Sequence, residues 1–253
     1  IVVLDETGQK IARPAGKEHH WVACPGMGEM VRTWAAPLAQ AGLLHTGTEV
    51  VAMERDRLHP TQWQLRVAGP QGMPTVRAGF DAVVLAIPAP AAHQLLRGSG
   101  VHSPLLPPLS EVEMAPCWAL MLSFPQAMQP GMTTLGPHWN VASSTHHRIA
   151  WLARESSKPG RSLKERWTVH ASADWSLKHL KDTPERVQAK LHKSFTEVTG
   201  IRAQPGHLQA QLWPHARTTT PLGQSFAWDS QEQFGVCGDW CVGMRVEDAF
   251  LSG

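Results

Sequence analysis

The apolar run Ala82–Ile87 is the feature that most restricts how this chain can fold. It follows Asp81 and ends at Pro88, a residue that cannot donate a hydrogen bond to a neighbouring strand. A strand without alternating polar residues is typical of a parallel sheet that is covered on both faces. The run therefore predicts an α/β domain, to which the alternating segment Trp63–Val67 adds a β-meander.

The composition limits the classes of function that remain. The chain has 253 residues, of which 42% are hydrophobic and 17% charged, with 23 Lys and Arg against 21 Asp and Glu. These values are typical of a folded domain and exclude a disordered chain. No run of like charge and no apolar stretch of about 18 residues occurs, so neither a nucleic acid nor a membrane is an expected partner. We expect a cytoplasmic protein that acts on a small molecule, and the sequence leaves its oligomeric state open.

The pattern of the sequence changes twice and predicts a discontinuous first domain. Residues 21–100 alternate helix and strand patterns. The tail 234–253 shows the same alternation, with a short buried strand followed by a helix start. Residues 101–233 combine several strand patterns with one helix, predicted over Pro184–Gly200, and favour an inserted α+β domain. Residues 1–20 begin with a strand that we assign to the second domain.

The tail carries the residues with the clearest chemistry. A predicted strand ends in Gly238-Asp239, and a helix is expected to begin near Arg245. A carboxylate at the end of a strand can accept hydrogen bonds from sugar-alcohol hydroxyls, and free amides at a helix start favour negative charge. By chemistry alone, Asp239 is equally well an ordinary helix cap.

Several segments resemble those of one enzyme family. The tail, in which Gly238-Asp239 precedes Val246-Glu247-x-Ala249-x-x-Ser252-Gly253, resembles the flavin-binding motif of FAD-dependent oxidoreductases of the amine oxidase and renalase group. Trp21–Met27 and Phe80–Pro90 are similar to segments near the adenine-side strand and the cofactor phosphates in that group. Further segments similar to the bacterial renalase-like branch are Met114–Leu120, Ser156–Arg161 and Trp167–Ser176.

The resemblance implies a protein that holds FAD non-covalently in a Rossmann-like α/β domain of the glutathione-reductase type, with an inserted α+β substrate domain. Asp239 would bind a ribityl hydroxyl, the main chain at Arg245 and Val246 would face the flavin N1/O2 edge, and Val50 would lie against the adenine. The residues carried over as cofactor-binding are Val50, Ala86, Pro88, Gly238, Asp239, Trp240, Arg245 and Val246. The implied reaction passes a hydride from a reduced pyridine nucleotide, or an isomer of one, to FAD N5, after which O2 reoxidises the flavin and H2O2 is released.

One element of the family pattern is missing from the sequence. No strand–GxGxxG–helix unit occurs, and Gly26–Val31 matches only its first half, so we interpret that segment as a turn and a helix start. The chain also starts at Ile1 without Met and ends within an apolar pattern. We therefore expect an N-terminally incomplete FAD-binding domain, a piece of a longer protein that by itself is inactive and holds FAD weakly.

No residue receives a catalytic role from the sequence. Trp213 and His215 lie where related proteins bring a strand past the flavin, and Lys158 lies in a Ser-Ser-Lys-Pro-Gly turn, but each is equally well a surface residue. No metal site is predicted, because Cys237 and Cys241 lack further ligands at zinc spacing. We expect the cysteines to be buried, reduced thiols.

Two alternatives stay open for the function. An amine is the second candidate for the donor, although amine oxidases commonly flank the flavin with tyrosines and this chain has 11 Trp and no Tyr. The second alternative is that the chain is a non-catalytic relic, which kept the fold and lost the ability to bind the cofactor. The missing glycine-rich unit would explain this loss.

Overall fold

The computed structural model describes residues 1–12, 20–69, 73–128, 135–162 and 164–253. This part of the chain forms two compact units, and each of them is built from two stretches of sequence. The first unit comprises residues 1–41 and 116–214, and the second comprises residues 42–115 and 215–253. The hydrophobic cores of the two units have no residue in common.

The regular elements alternate along the chain. The strands are β1 (Val2–Leu4), β2 (Lys10–Ile11), β3 (Val50–Arg55), β4 (Trp63–Val67), β5 (Thr75–Phe80), β6 (Val83–Leu85), β7 (Glu113–Phe124), β8 (Val141–Ser144), β9 (Ile149–Arg154), β10 (Glu165–Ala171), β11 (His207–Thr220), β12 (Ala227–Asp229) and β13 (Phe234–Val236). The α-helices are α1 (Gly28–Gln40), α2 (Ala89–Gly98), α3 (Leu106–Glu111), α4 (Ala173–Lys178), α5 (Pro184–Thr199) and α6 (Val246–Ser252).

Three sheets organise these strands. The largest has seven strands in the order β11-β7-β10-β9-β8-β1-β2, with β1 parallel to β8. The other two have three strands each, in the orders β12-β13-β6 and β3-β4-β5. The meander predicted from the alternating segment is confirmed as β3-β4-β5, in which neighbouring strands are antiparallel.

Helix α5 supplies much of the core of the first unit, and it confirms the helix predicted over Pro184–Gly200. The Thr183 side chain caps its first turn by accepting a hydrogen bond from the Arg186 amide, and Gly200 ends it with a left-handed φ of 74°. Its Phe195 ring lies 5.6 Å from the ring of Trp167 on β10. The apolar stripe thus packs on one face of the seven-stranded sheet.

The apolar run that follows Asp81 forms a parallel strand, but it is not covered on both faces. Strand β6 pairs in parallel with β13 alone and forms the edge of its sheet in the described structure. Leu85 is buried, whereas the side chain of Val84 is 58% exposed. The prediction of two-sided burial is wrong for this strand, because hydrophobicity along the chain does not say whether a neighbouring element lies over each face.

The division into units differs from the expected domain boundaries in two ways. Residues 21–41 group with the seven-stranded sheet, since the Cys24 thiol donates to the Pro159 carbonyl at 3.4 Å. Residues 101–115 and 215–233 group with the second unit: Val101 and Leu109 belong to its core, and β12 pairs with β13. The strand β1 lies in the seven-stranded sheet.

The four cysteines are all free, but they are not all buried. Cys241 is buried, Cys117 and Cys237 are half-buried, and Cys24 is exposed, contrary to expectation. Cys24 lies in a turn next to Pro25 rather than in a strand, so its apolar neighbours do not enclose it. Burial raises the pKa of the Cys117 thiol to about 11. None of the helices in the described residues is long and apolar enough to cross a membrane.

Candidate functional site

A cleft of about 880 Å³ lies in the second unit, between the meander and the sheet that contains β6. Its lining is mainly apolar and comes from β3, β4, β6 and α2. Three residues that the sequence assigned to the cofactor, Val50, Ala86 and Pro88, all line it. Their common position is a property of the fold, because they come from separate strands and loops. A largely apolar concavity of this size is suited to a small molecule.

The walls of the cleft are held at a defined separation. The Met53 amide of β3 donates to the Ser99 hydroxyl at 3.0 Å, at the end of α2. Helix α2 buries Ala92 and Leu96 in the core, and Pro90 lies in its first turn, where a proline is tolerated because that amide has no partner within the helix. A different side of α2, formed by Ala91, Gln94 and Gly98, lines the cleft.

The carboxyl ends of β6 and β13 lie side by side, since the two strands are parallel neighbours. Gly238 follows β13 and has a φ of 154°, a conformation that L-residues with side chains rarely adopt. A Cβ atom at this position would lie 2.5 Å from Nε1 of Trp240, so no other residue fits. The Gly238 amide donates to the Ser252 hydroxyl at 2.9 Å, which fixes the turn against the end of α6.

Asp239 projects from this turn with its carboxylate free to accept hydrogen bonds. It opens a short 3-10 turn over Asp239–Cys241, and its main-chain oxygen accepts from the amide of Gly243 at 2.7 Å. The side chain is half-buried, and its carboxylate has no hydrogen-bond partner among the residues that the structure describes. The alternative that Asp239 is an ordinary helix cap is therefore not observed.

Trp240 contributes differently from what the sequence predicted. Its side chain is 2% exposed and belongs to the hydrophobic core of the second unit, with the indole N–H donating to the Ile87 carbonyl at 3.0 Å. The side chain therefore links the ends of β13 and β6, and only its main chain remains for a ligand. Periodicity could not show this, because the bond joins residues far apart in the sequence.

The start of α6 is also less open than expected. The carboxylate of Asp248 accepts hydrogen bonds from the amides of Arg245 at 2.8 Å and Met244 at 3.0 Å. The expectation of a free amide at Arg245 is therefore wrong, since the helix caps itself three residues later. No protein acceptor for the Val246 amide is found among the described residues.

Sequence reasoning missed Asp248 and Ser252 as residues that shape this corner. The spacing from Arg245 to Asp248 is that of a capping box and could have revealed the first. Ser252 is buried, and its hydroxyl donates to the Ser225 carbonyl while it accepts from Gly238. Only the tertiary structure shows the second role.

Of the three catalytic candidates, Trp213 and His215 share strand β11, whereas Lys158 lies in the loop after β9. Lys158 belongs to the first unit, where its Nζ lies 2.8 Å from Glu155 Oε1. Trp213 is on β11 in the first unit with 58% of its surface exposed, and His215, half-buried, follows on the same strand in the second unit. Within the described residues, no three His, Cys, Asp or Glu side chains are grouped as ligands for a metal.

Comparison with known proteins places these features in a family. Residues 6–253 match the family described as flavin containing amine oxidoreductase. The fold is similar to that of cyclohexylamine oxidase from Brevibacterium oxydans IH-35A, with a TM-score of 0.59 and 11% identity over 90% of this chain and 49% of that one. It is also similar to a protein from Exiguobacterium sp. 255-15 that is provisionally assigned as a protoporphyrinogen oxidase, with a TM-score of 0.55 and 15% identity over 79% of this chain and 41% of that one.

At these identities the likeness to the solved structures shows the fold alone. The chain spans less than half the length of either solved protein. The family match, in contrast, covers nearly the whole chain and confirms the relationship that the tail motif predicted. The protein therefore belongs to the family of flavin-containing amine oxidoreductases.

Proposed function

We propose that the complete gene product is an FAD-dependent oxidoreductase of the renalase-like branch, which oxidises a reduced small molecule and uses O2 as the final electron acceptor. The observation that carries the proposal is the corner at Gly238 and Asp239, at the carboxyl ends of two parallel strands. Ligands of α/β sheets bind outside such strand ends. The second unit, with the cleft and this corner, is proposed as the FAD-binding domain, and the first as the substrate domain.

The residues of the second unit fit part of an FAD molecule. The Asp239 carboxylate is half-buried and without a protein donor in the described structure, so it can accept from a ribityl hydroxyl. The cleft that includes Val50, Ala86 and Pro88 offers apolar walls to an adenine and its ribose. The amide at Val246 remains available to a flavin oxygen, whereas the Arg245 amide does not. We therefore retain these residues, without the Arg245 amide and the Trp240 side chain, as the proposed cofactor site.

The protein has a limited chemical task in such a reaction. Bound FAD would supply the redox chemistry, a hydride acceptor for the donor and a route for the electrons to O2 with release of H2O2. Asp239 would bind the sugar-alcohol tail of the cofactor. The helix start at Val246 would stabilise negative charge on the flavin oxygen that its amide contacts. The apolar cleft walls would keep water from the adenine side. No side chain is needed as an acid or base for hydride transfer itself.

The donor is the point on which two candidates differ. We propose a reduced pyridine nucleotide or an isomer of one, on the basis of the renalase-like segments Ser156–Arg161 and Trp167–Ser176. An amine is the second candidate, and the family to which the chain belongs favours it. The absence of Tyr from the chain counts against a tyrosine-lined amine site.

Anaerobic reduction of the bound flavin tests the donor directly. We expect the complete gene product to be yellow and its absorbance near 450 nm to fall when NADH or an isomeric dihydronicotinamide is added, with H2O2 formed once air is admitted. Reduction by cyclohexylamine alone would replace the nucleotide with an amine. A colourless protein that takes up no FAD on dialysis would show that it is a relic without the cofactor.

Replacement of Asp239 by alanine tests the cofactor site. We expect Asp239→Ala to weaken FAD binding by about 1.5–3 kcal/mol, because a hydrogen bond to a charged acceptor is lost. Equilibrium dialysis of FAD against the complete gene product measures the change. Asp81→Ala is the matched control, since Asp81 is exposed in the same unit and contacts only Gln62 among the described side chains. Equal flavin occupancy in the two variants would show that the ribityl role of Asp239 is misplaced.

A further inference from the structure

A cluster of charged side chains on the first unit contains a guanidinium group whose Nε has no hydrogen-bonded acceptor among the residues that the structure describes. We define the Arg161 bay by Glu155, Lys158 and Arg161, which follow β9 in a 3-10 turn and a tight loop. Their side chains are 17%, 15% and 19% exposed, so each is largely enclosed by protein yet still reaches solvent. The function proposed above leaves these residues unexplained.

The charges in the Arg161 bay are not balanced. Lys158 Nζ donates to Glu155 Oε1 at 2.8 Å, which pairs that lysine with the only carboxylate of the bay. The guanidinium of Arg161 lies 3.7 Å from the other oxygen of Glu155, which is beyond hydrogen-bond distance. Nε of Arg161 is buried and has no acceptor among the residues that the structure describes. One positive charge is therefore left without a hydrogen-bonded counter-charge.

Arg154, in the same unit, forms the kind of two-pronged ion pair that Arg161 lacks among the described residues. Arg154 donates from Nε to Glu165 at 3.0 Å and from Nη2 at 3.1 Å, a two-pronged contact with a fully buried carboxylate. Arg161 makes no such contact among the described residues. A planar guanidinium that is enclosed without a matching oxyanion is costly, and its fork of donors fits a carboxylate or a phosphate.

The loop around Arg161 is built to hold the guanidinium in place. Gly160 has a φ of 69°, and a Cβ atom there would lie 2.5 Å from the Cys24 sulfur, so the loop packs tightly on the turn at residues 24–26. A Cβ atom at Gly26 would lie 3.7 Å from Nη2 of Arg161. Because Gly26 carries no side chain, none covers the guanidinium at this position.

The Arg161 bay lies within electrostatic range of His170 on β10. Arg166, Thr168 and His170 alternate with Trp167 and Val169, which are buried in the core that α5 covers, so His170 is on the other face of the sheet. Loss of solvent lowers the pKa of His170, Glu155 partly offsets this fall, and Lys158 adds to it.

We propose that the Arg161 bay, beside His170, binds an anionic group of the reduced substrate, a phosphate or a carboxylate. The identity of the bound molecule as the substrate rests on the proposed function, whereas the anion site itself does not. Arg161 is a positioning residue here, because it would hold a charged part of the donor that takes no part in hydride transfer. A phosphate-bearing dinucleotide has such a group, and a simple amine does not.

Calorimetric titration of the complete gene product with two probes tests the site. We expect inorganic pyrophosphate or malonate to bind saturably at low ionic strength, and Arg161→Gln to raise the dissociation constant about ten-fold or more. Arg186→Gln is the matched control, since Arg186 is an exposed arginine of the same unit whose ion pair with Asp182 spans 3.8 Å, and its dissociation constant should stay within about two-fold of the wild type. Stronger binding of pyrophosphate assigns a phosphate, and stronger binding of malonate assigns a carboxylate.

The same titration distinguishes the substrate from the cofactor and from a merely structural role. Loss of pyrophosphate binding when the protein is loaded with FAD would overturn the proposal, since the site would then belong to the cofactor phosphates. Equal binding by the wild type and Arg161→Gln, or no saturable binding by the wild type, would overturn it as well. With the flavin loaded, Arg161→Gln should raise KM for NADH but not for uncharged dihydronicotinamide riboside, with kcat unchanged. A colourless protein that still binds pyrophosphate through Arg161 would end the flavin proposal and leave the anion site in place.

Discussion

Replacement of Glu165 by alanine is expected to lower the free energy of unfolding by about 3–5 kcal/mol, because it removes the carboxylate from a buried ion pair with Arg154. Glu165 is fully buried at the start of β10. It accepts hydrogen bonds from Arg154, from the indole of Trp167 at 2.8 Å and from the hydroxyl of Ser156 at 3.3 Å. These three donors lose their common acceptor in the variant, and Arg154 is only 15% exposed, so water cannot replace it fully.

Urea-induced unfolding followed by far-UV circular dichroism measures the effect of Glu165→Ala. Glu29→Ala is the control, since Glu29 pairs with Arg32 on the exposed surface of α1, where an ion pair contributes less than about 1 kcal/mol. If Glu165→Ala does not fold, Glu165→Gln retains the volume and an acceptor oxygen for Trp167 and should show a smaller loss of stability. A Glu165→Ala protein as stable as the Glu29→Ala protein would contradict this account of the buried pair.

Replacement of Trp240 by alanine is expected to cost about 3–5 kcal/mol of unfolding free energy in the second unit, and with it the affinity for FAD. A large buried side chain leaves a cavity when it is truncated. In addition, the Ile87 carbonyl loses the indole donor that joins the ends of β6 and β13. Gly238 is shaped around the same indole, so the turn that presents Asp239 would lose its support.

The effect of Trp240→Ala is measured by urea unfolding with circular dichroism and by FAD dialysis of the complete gene product. Trp240→Phe keeps most of the core volume but lacks the donor, and we expect it to lose about 1 kcal/mol from the hydrogen bond in addition to a smaller packing loss. Trp213→Ala is the control, because Trp213 is 58% exposed and a surface substitution usually changes stability by less than about 0.5 kcal/mol. A loss for Trp240→Ala no larger than that of the control would show that the indole does not hold the corner together.

Local patterns predicted the elements that depend on nearby residues. Helix α5 follows from Pro184 at its start, an apolar stripe and Gly200 at its end, each of which acts within one or two turns. The β3-β4-β5 meander follows from alternation, and the resemblance of the tail motif indicated the family. The position of Asp239, an acid directly after a buried strand, was predicted in the same way, and its role toward a ribityl hydroxyl stays a prediction.

Other features depend on residues that are distant in the sequence, and only the tertiary structure decided them. The same apolar run gives β6 a buried Leu85 and an exposed Val84, because the core covers only one face of this strand. Trp240 became a core residue through its bond to Ile87, and the Arg161 bay arose where the loop after β9 meets the turn at residues 24–26. Sequence by itself predicted helix α5 and the meander through short-range sterics and periodicity, and it indicated the family through the resemblance of the tail motif. The folded chain decided burial and hydrogen-bond partners, since these depend on which remote groups reach each site.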